Sequence, residues 1–146
     1  MEDNFKSIVD SLFSILPLFK KKLIKPPDGE EDTDLSPSHY QVLFVIEDLG
    51  MMPISQIAKT LYISKSNMTP LIRKLIKKGF VERLRDKNDR RYVNIALTEQ
   101  GQQFIEEHRS LIAENLNDKL TNLSQEDLQE LARSLASVKK IFSKID

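Results

Sequence analysis

The sequence predicts a mostly α-helical fold with a small β-wing: a winged helix-turn-helix domain plus N- and C-terminal helices that form a dimerisation arm. Three observations predict it. Two short segments joined by a tight connection, 54–61 and 65–78, carry apolar residues at helical spacing. A basic stretch whose second half alternates apolar and polar residues, 83–97, follows directly. The chain's first segment has an apolar stripe wider than one packed face needs, and its last segment has a heptad-like seam.

Composition sets the bounds. With 146 residues, 40% hydrophobic and 30% charged, the chain is expected to be a single domain, 1–146, with a real core. Cysteine is absent, which removes disulfides, thiolate metal sites and cysteine redox sensing together. No apolar run approaches the length of a membrane span, and the Met1-Glu-Asp-Asn start lacks the basic and apolar parts of a signal peptide. A cytoplasmic protein with no membrane partner is the expectation.

Taken in order, Phe5, Ile8, Val9, Leu12, Phe13, Leu16, Phe19 and Leu23 form a broad helical stripe over 4–25, widened by Ile15, Leu18 and Ile24. Pro17 either kinks that helix or divides it into two shorter ones. So wide an apolar surface implies partial burial by a second subunit. Lys25-Pro-Pro-Asp-Gly-Glu-Glu-Asp-Thr-Asp34 has no periodicity and reads as a mobile loop. Ser36 then caps a helix with Pro37 in its first position; Tyr40, Leu43, Phe44, Ile46 and Leu49 supply its apolar side and Gly50 its stop.

Ile54, Ile57, Ala58 and Leu61 share one face of the next helix. Ser64 caps the following one, Ile63 can fold over Met68, and Gly79 ends it in a left-handed conformation. Between those signals Met68, Leu71, Ile72, Leu75 and Ile76 face inward, while Ser66, Asn67, Thr69, Pro70, Arg73, Lys74 and Lys77 face outward. Val93, Ile95 and Leu97 alternate with Tyr92, Asn94 and Ala96 in a hairpin turned by Asp86-Lys87-Asn88-Asp89. Thr98 caps a helix running to about Leu120, and Ser124 caps the last. In that last helix Leu128, Leu131, Leu135, Val138, Phe142 and Ile145 repeat at spacings of three and four.

Charge separates the functional face from the rest. From Ser55 to Arg91 there are eleven Lys/Arg against three Asp/Glu, a net +8; with 22 of each sign in the chain, the remainder carries −8. A basic module on an acidic body is the footprint of nucleic-acid binding. The outward face of 65–78 begins with small hydroxyl and amide donors, which suit phosphates and base edges near a helix N-terminus. Ser66, Asn67, Thr69, Pro70 and Arg73 are expected in the major groove of double-stranded DNA and Lys65, Lys74 and Lys77 at phosphates, with the cap Ser64 also among the DNA-binding residues. On the wing, 83–93, Lys87 sits at the tip and Arg90 or Arg91 would enter the flanking minor groove.

Catalytic chemistry is not expected. There is no glycine-rich phosphate loop, nucleophile elbow or metal-ligand spacing, and Glu106, Glu107 and His108 point in different directions from one helix. No catalytic residue, metal or cofactor is implied. A different class of function, a winged-helix protein-interaction module whose basic face docks an acidic partner, is separated from the first by the salt dependence of duplex binding.

Leu35-Ser-Pro-Ser-His-Tyr-Gln-Val-Leu, Ile54-Ser-Gln-Ile-Ala, Ser66-Asn-Met-Thr-Pro-Leu-Ile-Arg-Lys-Leu, Lys78-Gly-Phe-Val-Glu-Arg and Asp89-Arg-Arg-Tyr-Val-Asn-Ile-Ala-Leu-Thr-Glu-Gln-Gly101 resemble, in that order, the multiple-antibiotic-resistance regulator (MarR) family of bacterial transcription factors. The resemblance spans nearly the whole chain. It implies a homodimeric repressor on a palindromic operator, with 4–25 and 99–146 as dimerisation helices and 35–98 as the DNA-binding region. It also implies that Asp89 braces a nearby wing arginine, and that Pro70 follows a family variant. A small aromatic or anionic effector in a pocket between arm and winged domain is implied as well, where Phe13, Phe19, His39 and Tyr40 are the candidates. The branch of the family that senses peroxide through a cysteine on its first helix is no guide here.

Overall fold

A computed structural model describes residues 1–23 and 34–145. The expected loop over 25–34 lies, apart from Asp34, outside them, as do Ile24 and Lys25. The elements are α1 (Glu2–Leu23), α2 (Pro37–Leu49), β1 (Met52–Pro53), α3 (Ile54–Leu61), α4 (Lys65–Lys77), β2 (Val81–Arg85), β3 (Val93–Leu97), α5 (Glu99–Leu120) and α6 (Gln125–Phe142). They belong to two compact units, Met1–Pro27 with Leu111–Asp146, and Asp28–Ser110.

The second unit holds the core. Val42, Leu43 and Ile46 of α2, Ile57 and Ala58 of α3, and Met68, Ile72 and Leu75 of α4 are buried together with Met52, Val81, Ile95 and Ile105. The faces foreseen for α3 and α4 are therefore the packed ones. The face of α2 is rotated from its expectation: His39 and Val42 are buried, and Leu49 is exposed. Leu49 is the last helical residue before Gly50, so the chain turns away just where the stripe would have continued.

The wing also differs from a two-stranded ribbon. Met52 and Pro53 pair with Ile95 and Asn94, so β1 lies beside β3 in a three-stranded antiparallel sheet of order β1-β3-β2. Two residues ending in proline are too short to register as a strand, yet the pairing ties the start of α3 to the wing. Across the other edge Val81 opposes Leu97, and Arg85 opposes Val93.

Local signals act as the chemistry requires. The Ser64 side chain accepts from the Asn67 amide at 3.2 Å, and Ser124 does the same for Asp127 at 3.0 Å. At the far end of α4 the Phe80 amide donates to the Leu75 carbonyl at 3.0 Å and the Gly79 amide to Ile76 at 2.9 Å, with Gly79 at φ +80°. This double closure needs a left-handed residue, which glycine supplies without a Cβ penalty. The chain then passes into β2.

α5 begins against that same corner. Thr98 donates its amide to Phe80 O at 3.1 Å and its hydroxyl to Gly79 O at 2.5 Å, while accepting from the Gly101 amide at 3.0 Å. Gly101 lies so close to the Phe80 backbone that any side chain there would collide with its carbonyl. A column of rings continues the contact: Phe80 on Phe104 at 4.2 Å between centroids, Phe104 beside Tyr40 at 5.8 Å, and Tyr40 on His108 at 4.1 Å.

The first unit contrasts with the second. α1 is one continuous helix through Pro17, which answers whether that residue divides it. Neither α1 nor α6 contains a buried residue. Phe5, Phe13, Leu16 and Phe19 of α1 and Leu135, Val138 and Phe142 of α6 are all exposed. No helix among the described residues is long and apolar enough to cross a membrane.

Candidate nucleic-acid interface

The candidate interface starts at α4. Its cap leaves Ser64, Lys65, Ser66, Asn67, Pro70, Arg73 and Lys77 exposed on one side, with no acid anywhere in the helix. The dipole and these donors thus favour an anion at its start. Thr69 is half-buried, and its hydroxyl donates back to Lys65 O at 3.0 Å. Pro70 stands inside the helix and withholds one amide from its ladder, which costs helix stability and leaves an apolar ring outward.

Lys74 departs from the outward set. It is half-buried, and its ammonium donates to the Asp34 carbonyl at 2.5 Å, while Lys78 reaches the Asp34 carboxylate at 3.8 Å. Helical spacing alone places Lys74 beside Arg73; the start of α2 packing along α4 is what redirects it. His39, in the first turn of α2, is buried there too. Its Nδ1 accepts from the Ser36 amide at 2.9 Å and lies 2.8 Å from the Ser36 hydroxyl. Burial first, and the Lys74 charge second, hold His39 below the ordinary histidine value. The capping role needs a neutral ring.

At the wing tip, Asp86 organises the turn. Its Oδ1 accepts from the amides of Asn88 at 2.8 Å and Asp89 at 3.2 Å, and its Oδ2 accepts from Asn94 Nδ2 at 3.3 Å. The Asn88 amide bond, then those of Asp89 and Asn94, lower the Asp86 pKa. Asp89 in turn grips Arg91 through both oxygens: Nε at 3.0 Å to Oδ1 and Nη2 at 2.8 Å to Oδ2, with the Arg91 amide at 3.1 Å. That side-chain pairing lowers the Asp89 pKa and raises that of Arg91. Arg91 stays 85% exposed despite the grip, so its charge is aimed and not hidden. Lys87 and Arg90 are exposed beside it.

Both wing carboxylates are depressed relative to the unfolded chain. Their contribution to wing order is full above the ordinary carboxylate pKa and is lost as pH falls through their lowered folded values. In an NMR titration, the amides of Asn88, Asp89 and Arg91 are expected to keep their shifts down through the ordinary carboxylate range and to move only below it. Movement of these amides within the ordinary carboxylate range would mean the brace is not made.

The segment that contains α2, the two-helix unit and most of the wing, residues 35–93, matches the MarR family model. The regulator SarZ of Staphylococcus epidermidis is 33% identical over 126 residues, covering 85% of this chain and 84% of SarZ. The chain belongs to the MarR family. Members of the MarR family are transcriptional regulators and not enzymes, and this chain is one of those regulators. Among solved structures it resembles a MarR family protein from Bacillus stearothermophilus, with a TM-score of 0.76 at 21% identity over 98% of both chains. Streptococcus pneumoniae FabT in complex with DNA shares the fold with a TM-score of 0.63, at 20% identity over the full length of both.

Within this MarR-family fold the four candidate effector residues fall in different units. Phe13 and Phe19 are exposed on α1, whereas Tyr40 is stacked in the ring column and His39 caps α2. Three features escaped the sequence reading: the bonds by which the Asp86 side chain holds the turn, the Asp34 hold on Lys74, and the packing of Gly101 on Phe80. Only the first had a usable signal, an aspartate two residues before an asparagine in a turn.

Proposed function

We propose that this regulator is a cytoplasmic homodimer that binds a palindromic duplex operator sequence-specifically and represses transcription, with 65–78 in the major groove and the wing, 83–93, at the minor groove. The observation that carries the reading is the exposed, acid-free start of α4 beside a wing whose Arg91 is fixed by Asp89. A pre-oriented guanidinium loses little freedom on entering a narrow, negative minor groove. FabT, of the same fold, is solved in complex with DNA.

The proposal assigns 1–146 to one functional domain, in which 35–98 reads DNA and 4–25 with 99–146 joins two copies. The exposed apolar faces of α1 and α6 support the second assignment. Two copies set two recognition helices about one DNA turn apart. Control by a small aromatic or anionic effector, with Phe13, Phe19, His39 and Tyr40 as candidate contacts, completes the proposal.

Binding to duplexes selected from a random pool tests it. Affinity should fall steeply with salt, with a slope of roughly 0.9 per phosphate neutralised. Absence of duplex binding even at low salt would favour the protein-docking alternative. Arg73→Ala should cost about 1–3 kcal/mol and relax base preference, because a base-edge contact carries that much discrimination. Arg91→Ala should weaken binding mainly at flanking positions, where groove width and not base identity is read.

A further inference from the structure

The turn between α3 and α4 holds the one described residue other than glycine with a positive φ: Tyr62, at φ 55°. It closes α3 as glycine closes α4, with its amide donating to Lys59 O at 3.3 Å and the Ile63 amide to Ala58 O at 3.0 Å. A side chain with a Cβ is strained in this left-handed conformation, and a large aromatic there is a rare choice. Burial does not compensate, because Tyr62 is 97% exposed. An aromatic residue that is both strained and 97% exposed has no burial in its own chain to offset the strain, and an external contact would supply the offset.

Its position says what that contact is. Tyr62 lies two residues before the cap Ser64, at the same end of α4 as the exposed Lys65, Ser66 and Asn67. In a helix-turn-helix the first helix crosses the sugar-phosphate backbone while the second enters the groove, so the turn joining them borders the strand. We propose that Tyr62 is a DNA-backbone contact, its phenol donating to a phosphate oxygen and its ring packing on the adjoining sugar. This inference rests on the duplex-binding reading above. The contact carries no sequence information, and because the phenol is neutral it displaces no counterion. Tyr62 therefore fixes the register of α4 on the duplex and leaves base choice to the residues that follow.

Two variants test it against an operator that the unaltered protein binds. Tyr62→Gly should raise the melting temperature, since glycine takes the left-handed conformation without strain, while lowering affinity roughly tenfold, the worth of a hydrogen bond to a charged group. The loss should be equal on every sequence and leave the salt slope unchanged. Tyr62→Phe should keep the unaltered protein's melting temperature and lose most of the same affinity. Full affinity in Tyr62→Gly with a raised melting temperature overturns the proposal, and full affinity in Tyr62→Phe overturns the hydroxyl contact. Failure of the unaltered protein to bind any duplex would instead remove the reading on which the proposal stands.

Discussion

Gly101→Ala is expected to destabilise the fold by about 3 kcal/mol, at the upper end for overpacking. An added Cβ would occupy the space of the Phe80 carbonyl oxygen. A flexible side chain would move aside, but this obstacle is backbone, and it is fixed twice over. Phe80 O accepts the Thr98 amide at 3.1 Å, and its own amide closes α4 on Leu75 O at 3.0 Å. Relief requires α5 to lift from the corner, which breaks the Thr98 cap and draws Phe104 off Phe80, a ring contact of 4.2 Å. For a chain of this size the melting temperature should fall by roughly 10 °C. Gln103→Ala, an exposed change one half-turn on, should stay within about 0.5 kcal/mol of the unaltered protein. Equal stability of Gly101→Ala and the unaltered protein, measured by urea unfolding, would show that the corner yields.

This corner also explains which parts of the fold were legible in the sequence. Periodicity and caps are written in consecutive residues, so Ser64, Gly79, Thr98 and Ser124 announced their helix ends and the stripes of α3 and α4 announced their buried faces. Contacts between distant segments leave no such mark. Met52 beside Ile95 and Gly101 against Phe80 arise only when the chain has folded back on itself. His39, placed by the family resemblance among the candidate effector contacts, also serves its own helix: its ring accepts the amide of the cap Ser36, three residues before it, as a glutamate at that position would.

The candidate interface divides along the same line. The outward residues of α4 follow from helical spacing, apart from Lys74, whose partner Asp34 stands 40 residues earlier. The Asp89–Arg91 grip was foreseen only through family resemblance; charge counting alone made all the wing arginines equivalent. The strain at Tyr62 was invisible in sequence, since nothing in Leu61-Tyr62-Ile63 forces a left-handed tyrosine.

A charge placed in the α6 seam is expected to have the largest effect on DNA binding without touching a DNA-facing residue. Leu135 is exposed in the single chain, so Leu135→Glu should leave the stability of the second unit, where the core lies, nearly unchanged. If α1 and α6 meet a second copy, the same change buries a carboxylate in an apolar seam at a cost of several kcal/mol for each copy. The protein should then sediment as a monomer at micromolar concentration. A monomer engages one half-site, and losing the linked second site should lower operator affinity on the order of 100-fold or more. A single half-site duplex distinguishes this from damage to the reading head: once each protein's affinity is expressed per reading head, the variant and the unaltered protein should bind that duplex alike. A Leu135→Glu protein that remains dimeric and keeps full operator affinity would place the joining surface elsewhere than α6. One that is monomeric but loses half-site binding too would mean that the seam supports the reading head itself.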